Sequence, residues 1–167
     1  YELSWALEPS ERDLLFRLTP AAFDNDRAWW GQTLALAHAE QGDLAMARVY
    51  ADSAVPATEA QLAGAPDDAQ TQGFYGLMLA YSGRKADAIK YGERAVAGEA
   101  SGQNNTSYNM LLLVRTYLAL GEHDKALDVI GQLLQRPWYL TPAWLGIDPT
   151  FDPLRGSPRF ERMVKGQ

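Results

Sequence analysis

The residues of this chain whose types could support chemistry are few and scattered. His38 and His123 are its two histidines, and a metal centre or an activated nucleophile needs partners at defined spacing that neither has in the sequence. Both read as structural or surface residues. Asp148 and Asp152 invite comparison with paired carboxylates doing general acid and base work, but each directly precedes a proline, and Asp-Pro is a turn and helix-start signal. Asn105, Thr106 and Ser107 fit an N-glycosylation acceptor. Gly92 and Gly98 stand near a helix end and belong to no phosphate-loop pattern. Zero cysteines exclude disulfides and thiolate metal sites and leave the compartment undecided. The expectation is a chain with no catalytic residue, no metal and no cofactor. The contrasting hypothesis, a hydrolase using the acidic C-terminal segment, requires a converging polar pocket.

The elements that must position any site announce themselves through one small pattern written three times. Gly42 with Ala47, Gly83 with Ala88 and Gly121 with Ala126 each enclose four residues, mostly polar in the second and third copies and opened by Asp43 in the first, and each set lies between two apolar-periodic stretches. Glycine after a helix takes the left-handed conformation that satisfies orphan carbonyls, so the three glycines read as C-caps. Asp43, residues 84–87 and residues 122–125 then open a second helix. The alanines fall where two helices cross closely, and a larger side chain there would push the axes apart. Ala35 and Gly76 lie seven residues upstream of their caps, whereas the third copy has Val114 at that place. Three helical hairpins follow from this grammar, with self-similarity typical of stacked repeats.

These residues resemble the tetratricopeptide repeat family. The matching sets are Ala35, Gly42, Ala47 and Ala54; then Gly76, Gly83, Ala88 and Ala95; then Tyr117, Gly121 and Ala126. His38 and Leu79 stand where the motif has an aromatic in the first two copies. The resemblance spans residues 27–136 and implies an all-α fold: a right-handed superhelical stack of antiparallel helix hairpins with capping helices at both ends. Successive Gly turns lie 41 and 38 residues apart, against about 34 in the family's unit. The first excess of seven residues is close to two helical turns of about 3.6 residues each. It is assigned to a lengthened second helix over residues 44–62, kinked at Pro56. The second excess fits the polar residues 101–106, read as a loop, and the bacterial form of the resemblance makes Asn105 to Ser107 a loop and helix cap.

Residues 1–26 read as an N-terminal capping helix. Pro9 and Ser10 open a helix through Leu18, with Ser10 and Asp13 spaced like a capping box and Leu14, Leu15 and Leu18 covering the first hairpin. Asp26 caps that hairpin, Pro66 and Asp67 start the second, and the third runs to Arg136, where Pro137 stops it. Residues 137–167 read as a C-terminal cap. Thr141 with Pro142 and Ser157 with Pro158 each match an N-cap followed by proline, predicting two short helices. The aromatics around them are numerous enough to seal the last hairpin. Residues 148–160 also resemble the closing segment of tetratricopeptide regions in multidomain bacterial regulators, such as receptor-like serine/threonine kinases and winged-helix transcriptional activators. No kinase or DNA-binding residues occur in the chain.

That resemblance implies a concave groove lined by Trp29, Gln32, Thr33, Leu36, Phe74, Leu77, Tyr81, Tyr108, Leu111 and Arg115, with Tyr75 turned toward the packed interior. The bland alternative is that the apolar members are covered by the terminal segments. One subclass of the family grips a C-terminal carboxylate with fixed cations, but the resemblance places Gln32, Leu36, Phe74, Tyr108 and Leu112 at the corresponding positions here, all uncharged. The expected partner is therefore a protein or peptide met by apolar and aromatic contacts: an amphipathic helix, or an adjacent segment of the parent protein. A homo-oligomer built through apolar end surfaces is the alternative.

A chain of 167 residues is near the size of one domain and buries roughly 70% of its unfolded surface. Its net charge of -6 and pI of about 4.9 argue against a nucleic-acid partner, which needs a basic face. No apolar run approaches the roughly 18 residues of a membrane span. Without an initiating Met or a signal peptide, the opening Tyr1, Glu2, Leu3 reads as cut from something longer. The expected setting is a soluble accessory or sensory domain of a larger bacterial regulator, with its side of the membrane unassigned.

Overall fold

The computed structural model describes residues 3–97 and 106–167. Tyr1, Glu2, Gly98 and residues 101–105 of the predicted 101–106 loop, with Asn105 of the Asn-Thr-Ser triplet, lie outside the described residues, and Thr106 begins a helix rather than ending a loop. Among the described residues the protein is all-helical and contains no strand. Its helices are α1 (Pro9–Leu15), α2 (Arg27–Glu40), α3 (Leu44–Gly64), α4 (Ala69–Tyr81), α5 (Lys85–Ala97), α6 (Thr106–Ala119), α7 (His123–Leu133), α8 (Pro142–Ile147) and α9 (Pro158–Val164). Short 3-10 turns occupy Ser4–Ala6, Pro20–Phe23 and Pro149–Leu154. The helices pack as α2 on α3, α4 on α5 and α6 on α7, with α3 also against α4, and α6 against both α4 and α5.

The three glycine turns have one geometry. Gly42, Gly83 and Gly121 take φ of +74°, +78° and +72°. The amide after each donates to the carbonyl five residues back: Asp43 to His38 (2.9 Å), Arg84 to Leu79 (2.8 Å) and Glu122 to Tyr117 (2.8 Å). The glycine amides themselves donate three residues back, to Ala39, Ala80 and Leu118. That double pattern is the Schellman motif, which closes the open carbonyls of the first helix before the second begins. The alanines that follow, Ala47, Ala88 and Ala126, are completely buried. Close approach is also set by glycine within the first helices. A Cβ on Gly76 would lie 2.8 Å from the Gly92 amide nitrogen, and one on Gly31 would lie 2.9 Å from the Tyr50 carbonyl.

The long α3 runs two residues past its expected end, with Pro56 inside it. Its added turns bury Val55, Thr58 and Leu62 and reach back along α2. Gln32 Nε2 donates to Thr58 Oγ1 (3.1 Å), and Gln61 Nε2 donates to Asp26 Oδ2 (3.1 Å). Asp26 thereby serves twice, since its other oxygen accepts from the Trp29 amide as the α2 N-cap. Asp43 caps α3 in the same way, and Asp68, one residue beyond the expected start, caps α4 by accepting from Thr71 (2.6 Å).

The ends of the chain depart further from expectation. The capping box of α1 uses Glu8 and Glu11 rather than Ser10 and Asp13, because the helix starts at Pro9 and Glu8 is its N-cap. Leu14 is exposed, and it is Phe16 that covers the first hairpin, stacked 4.0 Å from the His38 ring. α7 ends at Leu133, short of Arg136, and the chain tightens through three-residue bonds from Gln135 and Arg136 before Pro137. The C-terminal segment forms three short elements instead of two. Thr141 caps α8 with Pro142 in its first turn, whereas Ser157 precedes α9 without a side-chain cap bond. The third element arises because Asp148 caps the Pro149–Leu154 turn through the Thr150 amide (2.8 Å). From this segment Leu140, Leu145, Phe151, Leu154 and Phe160 enter one core cluster with Val114, Leu127, Ile130 and Leu133 of α6 and α7.

Candidate functional site

The C-terminal ends of α2, α4 and α6 frame a partly open cleft of about 390 Å³, within the range of small-ligand and side-chain pockets. Its walls come from matching places in the three helices. The residues three and two before each Gly turn line it: Ala39 and Glu40, Ala80 and Tyr81, Leu118 and Ala119. Leu36 and Arg115, each six before its glycine, deepen it, and Gly42 and Leu44 complete one rim. The opposite wall is Pro149, Thr150, Asp152 and Pro153 of the C-terminal 3-10 turn. Helix ends at equivalent places thus meet a proline-framed segment from far along the chain.

Charge at the cleft is paired, and at its inner wall it is withdrawn from water. Arg115 Nη2 stands 3.8 Å from Glu40 Oε1, with side chains only 3% and 5% exposed. A buried ion pair recovers its desolvation cost only with close geometry and further hydrogen bonds, and Ser4 Oγ supplies one to the other Glu40 oxygen. Tyr81 lies beside the pair. Burial pushes its phenol up to about 12, Glu40 adds to the rise, and Arg115 opposes it. The hydroxyl is therefore a neutral donor and acceptor at the edge of an apolar wall. Asp152 at the rim is held by Arg155 Nε (2.5 Å).

Of the ten residues expected on a concave face, three meet here: Leu36, Tyr81 and Arg115. The other seven are engaged elsewhere. Gln32 bonds Thr58, and Thr33 Oγ1 donates to the Trp29 carbonyl. Phe74 is buried with its ring 6.0 Å from that of half-buried Tyr108. Leu77 and Leu111 are core residues, with no surface to offer a partner in this conformation. Trp29 is exposed, its ring edge-on to Phe23 at 5.1 Å, and does not line the cleft. Tyr75 is interior as expected, packed edge-on against Tyr91. Sequence reasoning missed Glu40, Leu118, Ala119 and the Pro149–Leu154 wall. The signal for the first three was their constant distance from the Gly turns.

The residues weighed for chemistry have other work. His38 is sandwiched between Phe16 and Tyr50, with Nδ1 3.3 Å from Asp43 Oδ2, so its ring joins the segment just after α1 to α2 and α3. His123 opens α7 on the surface. Asp148 is buried and uses both oxygens, one for the Trp144 indole (3.0 Å) and one for the Thr150 amide. Among the described residues no cluster of His, Asp and Glu is arranged to hold a metal ion. Nor is any helix among them long and apolar enough to cross a membrane. Tyr117 donates to Glu93 (2.8 Å), and burial together with that bond raises its phenol well above the ordinary range. Lys85, bonded to Glu122 between the second and third turns, draws that carboxyl below its ordinary value. No protein-family model, curated protein or solved structure matches this chain.

Proposed function

We propose that this chain is a tetratricopeptide-type protein-interaction domain, its three helix pairs stacked as a superhelical array, and that the cleft at the ends of α2, α4 and α6 receives a segment of a partner protein. The observation that carries this reading is the agreement of three Schellman turns, three buried alanines and one cleft built from equivalent positions of three helices. Arrays of this kind present the same helix positions repeatedly along one face, which suits recognition of an extended ligand rather than bond-making chemistry. The cleft is apolar on most of its walls, with a neutral phenol and an internally balanced ion pair at its base. Such a site takes an apolar or aromatic side chain and offers its backbone a hydrogen bond, in the manner of groove-binding modules. The role that fits is an accessory or sensory domain of a larger bacterial regulator, docking a partner or a neighbouring domain of its own parent protein.

A displayed library of random peptides, selected on the full chain and counter-selected on Ala119→Trp, tests this. Ala119 is exposed on the cleft wall, so indole at that position fills the cleft without entering the core. Enrichment of a peptide family on the unmodified chain and its loss on the variant is expected. Equal recovery on both chains would remove the cleft as the docking site.

A further inference from the structure

The N-terminal strap, residues 3–7, lies across a seam between α2 and the C-terminal segment, next to the cleft. Ser4 Oγ donates to Glu40 at the end of α2. The Trp5 ring meets the Trp144 ring of α8 edge-on, with centroids 6.2 Å apart and planes at 75°. Both receiving groups are fixed by the rest of the fold. Glu40 is nine-tenths buried beside Arg115. Trp144 is held through its indole nitrogen by buried Asp148, and the Tyr139 ring packs against it in a T-shaped contact at 5.4 Å. The strap itself is light: none of the residues in its Ser4–Ala6 turn is buried, and Leu3 is 55% exposed. The next attachments of the N-terminal region are Phe16 on His38 and the Leu18 carbonyl on Trp30, both beyond the end of α1. Neither involves Ser4 or Trp5.

A fixed carboxylate and a fixed indole on the host, answered by a hydroxyl and an indole one residue apart on the guest, make a recognition code that another chain can carry. We propose that this seam is a binding site for an extended partner segment bearing Ser or Thr followed directly by Trp, and that the chain's own Ser4 and Trp5 occupy it when the partner is absent. The carboxylate accepts the guest hydroxyl in a charge-assisted bond, stronger than a neutral one. The tryptophan supplies a half-buried aromatic contact, of a residue type that interfaces favour. Both host groups are pre-organised, which limits the ordering cost of binding. The guest competes with a tethered occupant, so its apparent affinity is reduced by the fraction of molecules with the strap displaced. The seam shares Glu40 with the cleft but does not depend on the cleft having a ligand.

The probe is an acetylated, amidated and dye-labelled peptide of residues 1–8, titrated by fluorescence anisotropy against the full chain. Ser4→Ala with Trp5→Ala in that chain vacates the seam, and circular dichroism checks that the helices remain. Binding to the vacated chain at least about tenfold tighter than to the unmodified one is expected. Replacing Ser and Trp of the peptide by Ala, or Glu40 of the vacated chain by Gln, should each weaken it about tenfold. Adding Ala119→Trp to the vacated chain should leave the affinity unchanged, which separates this site from the cleft. Equal affinity for both chains, no binding to either, or indifference to the peptide's Ser and Trp would overturn the proposal. Concentration-dependent dimerisation of the unmodified chain, suppressed by the peptide, would overturn the assignment to a foreign segment and give the seam to a second copy.

Discussion

Gly76 and Gly83 stand seven residues apart in the second helix pair, and different forces hold each of them to glycine. Gly83 sits in the left-handed region with open space around it, so an L side chain costs about 1–2 kcal/mol in conformation alone. Asn visits that region more readily than Ala, and Gly83→Asn is expected to melt above Gly83→Ala. Gly76 has ordinary helical geometry but no room, since a Cβ would press on the Gly92 nitrogen and the Ala88 carbonyl, both backbone. Gly76→Ala must part α4 from α5, an overpacking cost of about 1–3 kcal/mol. At about 2–4 °C of melting temperature per kcal/mol for a chain of this size, thermal melts of the three variants resolve the two causes. If Gly83→Asn and Gly83→Ala melt together, the turn is not conformationally limited. Tyr81 adds a pH signature. An unfolded tyrosine loses its proton near the ordinary value of 10, whereas Tyr81 keeps its own to about 12. Between those values the unfolded chain binds fewer protons, so stability falls as pH rises from about 10 toward 12. Tyr81→Phe should shallow that fall, with buried Tyr75 and Tyr117 leaving a residual slope. Identical melting temperatures of variant and parent at pH 9 and at pH 11 would place Tyr81 in an ordinary environment.

At the scale of elements, what was legible in the sequence was what short-range physics decides. Gly42, Gly83 and Gly121 declared their turns because a left-handed C-cap and its bonds involve six consecutive residues. Ala47, Ala88 and Ala126 declared the helix crossings because a small residue at a fixed distance from a turn has one packing use. The lengthened α3 was legible from spacing alone. Proline did not end it, because Pro56 lies in a helix held at both sides by buried Ala54, Val55 and Thr58. The α1 capping box was misread by two residues, since Glu8 with Glu11 offers the same three-residue spacing as Ser10 with Asp13 and the position of Pro9 decides between them. The crossings carry the prediction at this scale. Ala88→Leu should destabilise the fold by about 1–3 kcal/mol, because Ala88 is wholly buried and its carbonyl already touches the space over Gly76. A chemical denaturation curve of that variant superimposing on the parent's would show the α4–α5 contact to be misplaced.

The whole molecule is where sequence reasoning ran out. Aligning helices on their glycines assigns Leu36, Tyr81 and Arg115 to one face but says nothing of what covers it. The Pro149–Leu154 turn and the Ser4 strap arrive there from the two ends of the chain. Arg115, expected as an accessible cation, is instead buried against Glu40, a pairing with no local signal in the sequence. The C-terminal segment is also integral to the core. Removing residues 138–167 takes Leu140, Leu145, Phe151, Leu154 and Phe160 out of the cluster that covers Leu127, Ile130 and Leu133. At about 1.5–3 kcal/mol per large apolar side chain, that truncation should lower the melting temperature sharply and create binding of an apolar dye. A truncated chain as stable and dye-free as the parent would make the segment dispensable. Whether the ends of α2, α4 and α6 with the C-terminal turn receive a partner is decided by the two-dimensional NMR spectrum of labelled full chain titrated with a library-selected peptide. Shifts concentrated at Leu36, Tyr81, Leu118 and Thr150 are expected. Shifts confined to α3, α5 and α7, with those four residues unmoved, would contradict docking there.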